Sequence, residues 1–303
     1  MHKLPRMRRS VTIRVVQHRP VLGDLAANLA DHRARARAAA EDGVDLVLFP
    51  ELSLTGYGLG DLVDAVAVDP THPLWPEMLA LSDDVDVALG FVERGSEGYL
   101  YNSCAYLHRG ELLHCHRKTY LPTYGAFDEG RFFSPGREIE TFDAPWGRAA
   151  LVVCEESWHP AVAHGTAMQG ADALLVISNA PGRNLRDRDW ASQRGWRANL
   201  SAYARLYAVW VAYANRVGYE EGFVFGGGSA IIAPDGRELL VADPLEPEEL
   251  TAVLDAAELR RSRIANPAHG IERHEMLIEA LKGARPRDPA RARTPGEREE
   301  ARP

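Results

Sequence analysis

The chain has 303 residues, 46% of them hydrophobic and 26% charged, with a formal net charge of −8. That balance excludes collagen-like, mucin-like and wholly disordered chains, and the length suffices for a core without disulfide or metal staples. The acidity argues against a nucleic-acid partner, because phosphate binding needs concentrated positive charge.

Residues 1–10 (MHKLPRMRRS) read as a basic N-terminal arm. No apolar stretch of signal-peptide length follows, since Arg14, His18 and Arg19 interrupt the run. Val11–Val16 alternates with β-branched residues and predicts a first strand. Asp24–Asp42 carries apolar residues at helical spacing and predicts a helix that Gly43 stops. Val44–Phe49, an apolar run before Pro50, suits a buried strand, and this strand–helix–strand order predicts a layered α/β fold. Strands are expected at Val85–Val92, Leu100–His108, Leu112–His116 and Ala149–Val153, then a helix over Pro160–Gly170. Ala173–Ser178 predicts a strand, Trp190–Leu206 a helix and Ala208–Ala214 a further strand. Ser229–Ala233 and Glu238–Ala242 flank Pro234-Asp235-Gly236 as a hairpin. Beyond Gly283 the residues are rich in Arg, Pro and Glu with almost nothing to bury, so 284–303 reads as a disordered tail. No apolar run approaches the ~20 residues of a membrane span, so no membrane partner is expected.

The cysteines Cys104, Cys115 and Cys154 are odd in number and follow no metal-finger spacing, which suits a reduced, cytoplasmic protein. Within His114-Cys115-His116, neighbouring strand residues point to opposite faces, so the three cannot converge on one metal ion.

Three segments each place a reactive side chain at the end of an apolar strand. Glu51 follows Phe49-Pro50 at a carboxyl-terminal rim, where open α/β folds hold ligands and a desolvated carboxylate suits general-base work. Lys118 follows Leu112–His116 and opens a loop rich in aromatic and turn residues, placed to hold an oxyanion and to lower the pKa of a nearby thiol. Cys154 ends Leu151-Val152-Val153 just before an expected helix, the setting of an exposed nucleophile with backbone N–H donors beside it. Taken alone, each also reads blandly, as a loop glutamate, a solvated lysine and a small buried hydrophobe.

Together, the ordered set Glu51, Lys118 and Cys154 resembles the nitrilase superfamily of carbon–nitrogen hydrolases, from Val11 to about Ile264. Gly23-Asp24, Asn28, Asn102-Ser103, Asn215-Arg216-Val217-Gly218 and Gly227-Gly228-Ser229 share in the resemblance. FPELSLTGYGLGDL and KTYLPTYGAFDEGRFFSPG are further similar to the glutaminase domains of glutamine-dependent NAD⁺ synthetases. The resemblance implies a four-layer α-β-β-α sandwich in one domain. It would comprise a carbon–nitrogen hydrolase domain over 11–265, a C-terminal helical extension over 266–283 and the tail.

The same resemblance implies a Glu51–Lys118–Cys154 catalytic triad, with Glu129 fixing Lys118 from behind. Tyr57 and Tyr124 would flank a substrate pocket, Glu155 would contact a glutamine amino group, and Ser178 would line the pocket. The family's Cys-Glu-Asp-x-Trp is here Cys154-Glu155-Glu156-Ser157-Trp158, and its Ser-x-Ser-Pro is here Ser178-Asn179-Ala180-Pro181. Arg183 and Arg186, after Ser178, suit pairing with a substrate carboxylate. The aromatic residues Tyr57, Tyr124, Phe127 and Trp158 suggest a small, partly apolar pocket. The expected activity is thiol amidohydrolysis of a small-molecule amide with release of ammonia, without cofactor or metal. The alternatives are a glutaminase subunit feeding a separate synthetase, an ω-amidase or N-carbamoyl amidase, and an inactive binding subunit. A homodimer or higher homo-oligomer is expected by the same resemblance.

Overall fold

The computed structural model describes residues 7–125, 127–186, 189–267 and 271–284. The first six residues of the basic arm, and the tail from residue 285, lie outside the described residues.

In chain order, β1 (Val11–Gln17) leads through α1 (Leu25–Glu41) to β2 (Leu46–Leu48), then α2 (Trp75–Leu79) and β3 (Asp86–Arg94). β4 (Leu100–His108), β5 (Glu111–Arg117), the short α3 (Glu129–Phe132), β6 (Phe142–Ala144) and β7 (Gly147–Val153) follow. After these come α4 (Pro160–Met168), β8 (Ala173–Ser178), the two-residue β9 (Leu185–Arg186) and β10 (Asp189–Trp190), α5 (Ala191–Tyr207) and β11 (Trp210–Asn215). A hairpin of β12 (Val217–Glu220) and β13 (Phe223–Gly226) precedes β14 (Ala230–Ile232), β15 (Glu238–Val241), β16 (Glu248–Leu254) and α6 (Ala256–Ala265). These elements lie in one compact unit, Met1–His269; a second unit, Gly270–Pro303, carries α7 (His274–Lys282).

Twelve of these strands form two six-stranded sheets, ordered β16-β1-β2-β3-β4-β5 and β15-β14-β11-β8-β7-β6, while β9 pairs with β10 and β12 with β13. Each has a parallel centre, β1-β2-β3 in one and β7-β8-β11 in the other, with antiparallel strands at its flanks. The side-chain period of two divides the first sheet between two cores. Ile13, Val15, Leu46, Leu48, Ala88, Cys104 and Tyr106 face the second sheet. The intervening Val16, Val47, Val87, Leu89 and Phe91 pack outward under α1 and α2. On the far side, Val162 and Ala163 of α4 and Trp196, Leu200 and Tyr203 of α5 cover the second sheet. The result is the expected four-layer α-β-β-α sandwich.

Several boundaries differ from the sequence expectation for identifiable reasons. The apolar run Val44–Phe49 pairs only over Leu46–Leu48, because the chain leaves the sheet toward Pro50. Ala208 is not a strand residue but the left-handed cap of α5, at φ +45°. β16 went unrecognised because its sequence, EELTAVL, leads with charge, yet it pairs antiparallel with all of β1.

Gly90, in the middle of β3, decides how the loop after β2 lies. A Cβ there would meet Leu52 N at 2.2 Å and Glu51 C at 2.7 Å. Bare backbone lets residues 51–54 rest on the strand, with Leu54 N donating to Gly90 O at 3.1 Å. Gly90→Ala is expected to force this loop outward. Overpacking of that kind costs about 1–3 kcal/mol, so thermal melting should shift down by about 5 °C.

Candidate active site

Glu51 and Lys118 come from the loop after β2 and the residue after β5, and both side chains are buried. A charge out of water must be paired and hydrogen-bonded, and both of these are. Lys118 Nζ donates to Glu51 Oε1 at 2.7 Å and to Glu129 Oε1 at 2.8 Å. Glu51 also accepts from Asn102 Nδ2 on Oε1 at 2.7 Å and from the Asn179 amide on Oε2 at 2.8 Å. Tyr57 Oη donates to the same Glu129 oxygen, at 2.8 Å. Burial opposes the charge on Lys118, but Glu129 and Glu51 outweigh it and hold the ammonium well above its usual range. Burial, with Glu51 adding its charge, lifts the Glu129 carboxyl to about 7 against the pull of Lys118 and Tyr57.

Cys154 stands where β7 gives way to a single turn of 3₁₀ helix, Cys154–Trp158, and it holds a left-handed φ of +48°. A non-glycine residue in that conformation marks a strained elbow, the geometry that lifts a nucleophile off its strand. Its Sγ receives the Ser178 hydroxyl at 3.3 Å. The next residue, Asn179, gives its amide to Glu51, so one peptide unit at the end of β8 ties the sulfur and the carboxylate together. Burial pushes the thiol up, Glu51 and Glu129 push it further, and Lys118 and Ser178 pull the other way. The lowering expected from the lysine alone is therefore outweighed, and Cys154 rests as a neutral thiol.

Glu156 organises the elbow. This buried carboxylate accepts from Val153 N on its own turn and from the Thr119 amide and hydroxyl on the lysine loop, each at 2.7 Å. It also meets His116 Nε2 at 2.9 Å. Burial disfavours charge on both partners, but each outweighs it for the other, raising His116 and lowering Glu156. The sequence shows Glu156 only as a conservative exchange for aspartate; its partners are 37 and 40 residues away. His114 stacks on Phe142 and Cys115 faces Glu93, so the His-Cys-His run splits between opposite faces of β5.

The remaining expected residues divide. Tyr57, Phe127, Phe223 and Phe225 form one aromatic cluster, with Tyr124 meeting Phe127 edge-on at 6.0 Å. Tyr124 Oη donates to Glu155 Oε2 at 2.7 Å. Arg183 is exposed on the loop after β8, close enough to Tyr124 for its charge to act on the phenol. Arg186 is exposed on β9. Trp158 packs edge-on against Trp196 of α5, at 5.3 Å. Asn102 and Asn179 lie in stretches that carry the resemblance, yet no role follows for either from the sequence, and nothing in its local pattern marks Phe223. Asn102 Oδ1, Glu129 Oε2 and the side-chain Nδ2 and Oδ1 of Asn179 are buried without a hydrogen-bond partner among the described residues. No group of His, Cys, Asp and Glu suited to a metal occurs among those residues, nor any helix long and apolar enough to cross a membrane.

This two-sheet sandwich is shared with solved proteins of the nitrilase superfamily. The carbon-nitrogen hydrolase family model matches residues 12–264, and the chain belongs to that family. It is 30% identical over 263 residues to a glutamine-dependent NAD⁺ synthetase of Thermotoga maritima, covering 84% of this chain and 44% of that protein. The chain spans less than half the length of this and two similar synthetases. A carbon-nitrogen hydrolase from Helicobacter pylori shares the fold with TM-score 0.79 at 22% identity, over 90% of this chain and 99% of that one. A mutant amidase of Nesterenkonia sp. AN1, carrying acrylamide at its active site cysteine, matches with TM-score 0.74 at 25% identity, over 89% of this chain and all of that one.

Removing one partner of a buried ion pair strands the other. Glu156→Ala leaves charged His116 and three donors unmet, so urea unfolding should show a loss of about 3–5 kcal/mol.

Proposed function

We propose that this chain is a thiol amidohydrolase that cleaves a small-molecule amide and releases ammonia through an acyl-enzyme on Cys154. The observation that carries the reading is the buried junction of a strained cysteine, a lysine ammonium and a carboxylate bonded to it. The cysteine of the Nesterenkonia amidase that bears acrylamide supports the same assignment for Cys154.

An amide is a poor electrophile, so its hydrolysis without ATP calls for a strong nucleophile and a stabilised tetrahedral oxyanion. Because Cys154 rests as a thiol, its proton passes to Glu51 as sulfur attacks the carbonyl carbon. Lys118 and the backbone N–H after Cys154 receive the oxyanion, each donor contributing on the order of 3 kcal/mol. Glu51 returns the proton to the departing nitrogen, ammonia leaves, and Glu51 then takes a proton from the water that hydrolyses the thioester. Glu129 holds Lys118 in place and shares its charge. The aromatic cluster around Tyr57 and Phe127 would cover the apolar part of the acyl chain, and Ser178 lines the pocket. The unpaired polar atoms of Asn102 and Asn179 suit a substrate with polar groups near its carbonyl.

The likeness to glutamine-dependent NAD⁺ synthetases favours a second reading, in which the amide is glutamine and the ammonia goes to a separate synthetase. Under it, Glu155 takes the glutamine amino group in exchange for the Tyr124 hydroxyl, and Arg183 takes the carboxylate. Ammonia release from a panel of amides distinguishes the two. Glutamine as the one good substrate, together with capture of a synthetase, favours the second; broad turnover of short amides favours the first.

Cys154→Ala is expected to abolish ammonia release while leaving the circular dichroism spectrum intact; retained turnover would end the mechanism. Protonation of Glu129 removes one of the two anions that hold Lys118, which leaves the ammonium drawn to Glu51 alone and less well placed for the oxyanion. Activity should therefore fall as pH drops through about 7. Glu129→Gln should be slower at pH 8 by about tenfold or more and should lack that acid limb.

A further inference from the structure

We propose that the buried Arg216–Glu220 ion pair is a positioning device that sets Tyr57 on Glu129 and thereby holds Lys118 in register. The proposal rests on the reading above of Glu51, Lys118 and Cys154, and adds to it two residues from a distant hairpin that touch none of the reacting groups.

Glu220 ends β12 and is 7% exposed; Arg216, just before that strand, is 1% exposed. Arg216 Nη1 donates to Glu220 Oε2 at 2.8 Å. The other oxygen, Oε1, accepts two consecutive amides, Tyr57 N and Gly58 N, both at 2.7 Å. One carboxylate thus clamps the backbone on either side of the Tyr57 side chain, across 163 residues of sequence.

The loop is shaped to this clamp. Gly56 holds φ +79°, and a Cβ there would lie 2.8 Å from Glu220 Oε2. The hairpin also grips the ring: Phe223 and Phe225 of β13 meet Tyr57 edge-on at 5.7 and 6.0 Å. Arg216 in turn lies over Phe225, 4.2 Å from the ring centre. With backbone and ring both held, the Tyr57 hydroxyl reaches Glu129 Oε1, the oxygen that also takes Lys118.

A buried ion pair is weak evidence for stability, since desolvation consumes much of the attraction. Its two free acceptor bonds are directed at the Tyr57 loop. That arrangement is what a positioning role requires, because small displacements next to reacting groups lower rates steeply.

The test is a double-mutant cycle on the full chain with Glu220→Gln and Tyr57→Phe. Two readouts are followed across pH: turnover of the best amide, and alkylation of Cys154 by iodoacetamide, assigned by peptide mass. The second needs no knowledge of the substrate. Each single variant should slow both reactions by about tenfold, mainly in kcat. Each should also move the acid limb to higher pH, because the Tyr57 donor that keeps Glu129 ionised is loosened or lost. The double variant should be no slower than Tyr57→Phe. Multiplied effects, or an unmoved limb in Glu220→Gln, would overturn the proposal. Should Glu220→Gln fail to fold, Arg216→Lys takes its place in the cycle with the same two outcomes. Glu51→Gln serves as the control. If it leaves turnover of the best amide unchanged, the reading of the site fails and takes this inference with it. If turnover is lost yet the cycle is multiplicative, the inference fails by itself.

Discussion

A lysine ammonium with no access to water needs anions against it, and Lys118 has two. Glu51, from the loop after β2, and Glu129, from the start of α3, reach it across 67 and 11 residues of sequence, and both bonds are under 3 Å. With Glu129 ionised, three charges in so small a volume leave one net negative charge, which the surrounding donors share: Asn102 and the Asn179 backbone amide on Glu51, Tyr57 on Glu129. Much of the rest of the site can be derived from the need to satisfy this triplet away from solvent.

The same burial governs the sulfur. A thiol in a dry site with two carboxylates near it keeps its proton, and a single lysine does not reverse that. In the mechanism proposed above, nucleophile and base then work as a unit, the proton moving only as the sulfur commits to the carbonyl carbon. Glu156 contributes by fixing geometry rather than charge at the reacting centre. Through Val153 and Thr119 it joins the cysteine turn to the lysine loop, so the two cannot drift independently.

What was legible in the sequence follows from what is local. Glu51, Lys118 and Cys154 each sit where an apolar strand runs out, and the alternation of β1 and the apolar run of β8 are plain in their residues. Gly90 looks like any strand glycine until a loop from another part of the chain is laid on it. Glu220 looks like a hairpin carboxylate until the Tyr57 amides arrive.

The order of apolar runs and turn residues by itself determined a layered α/β fold, most of its strands and helices and the strand ends at which reactive groups emerge, because pairing period and helix period are local properties of the chain. Only the tertiary structure decided which protonation states those groups hold and which residues steady them. Both depend on desolvation and on contacts between segments dozens of residues apart, and neither has a local signature.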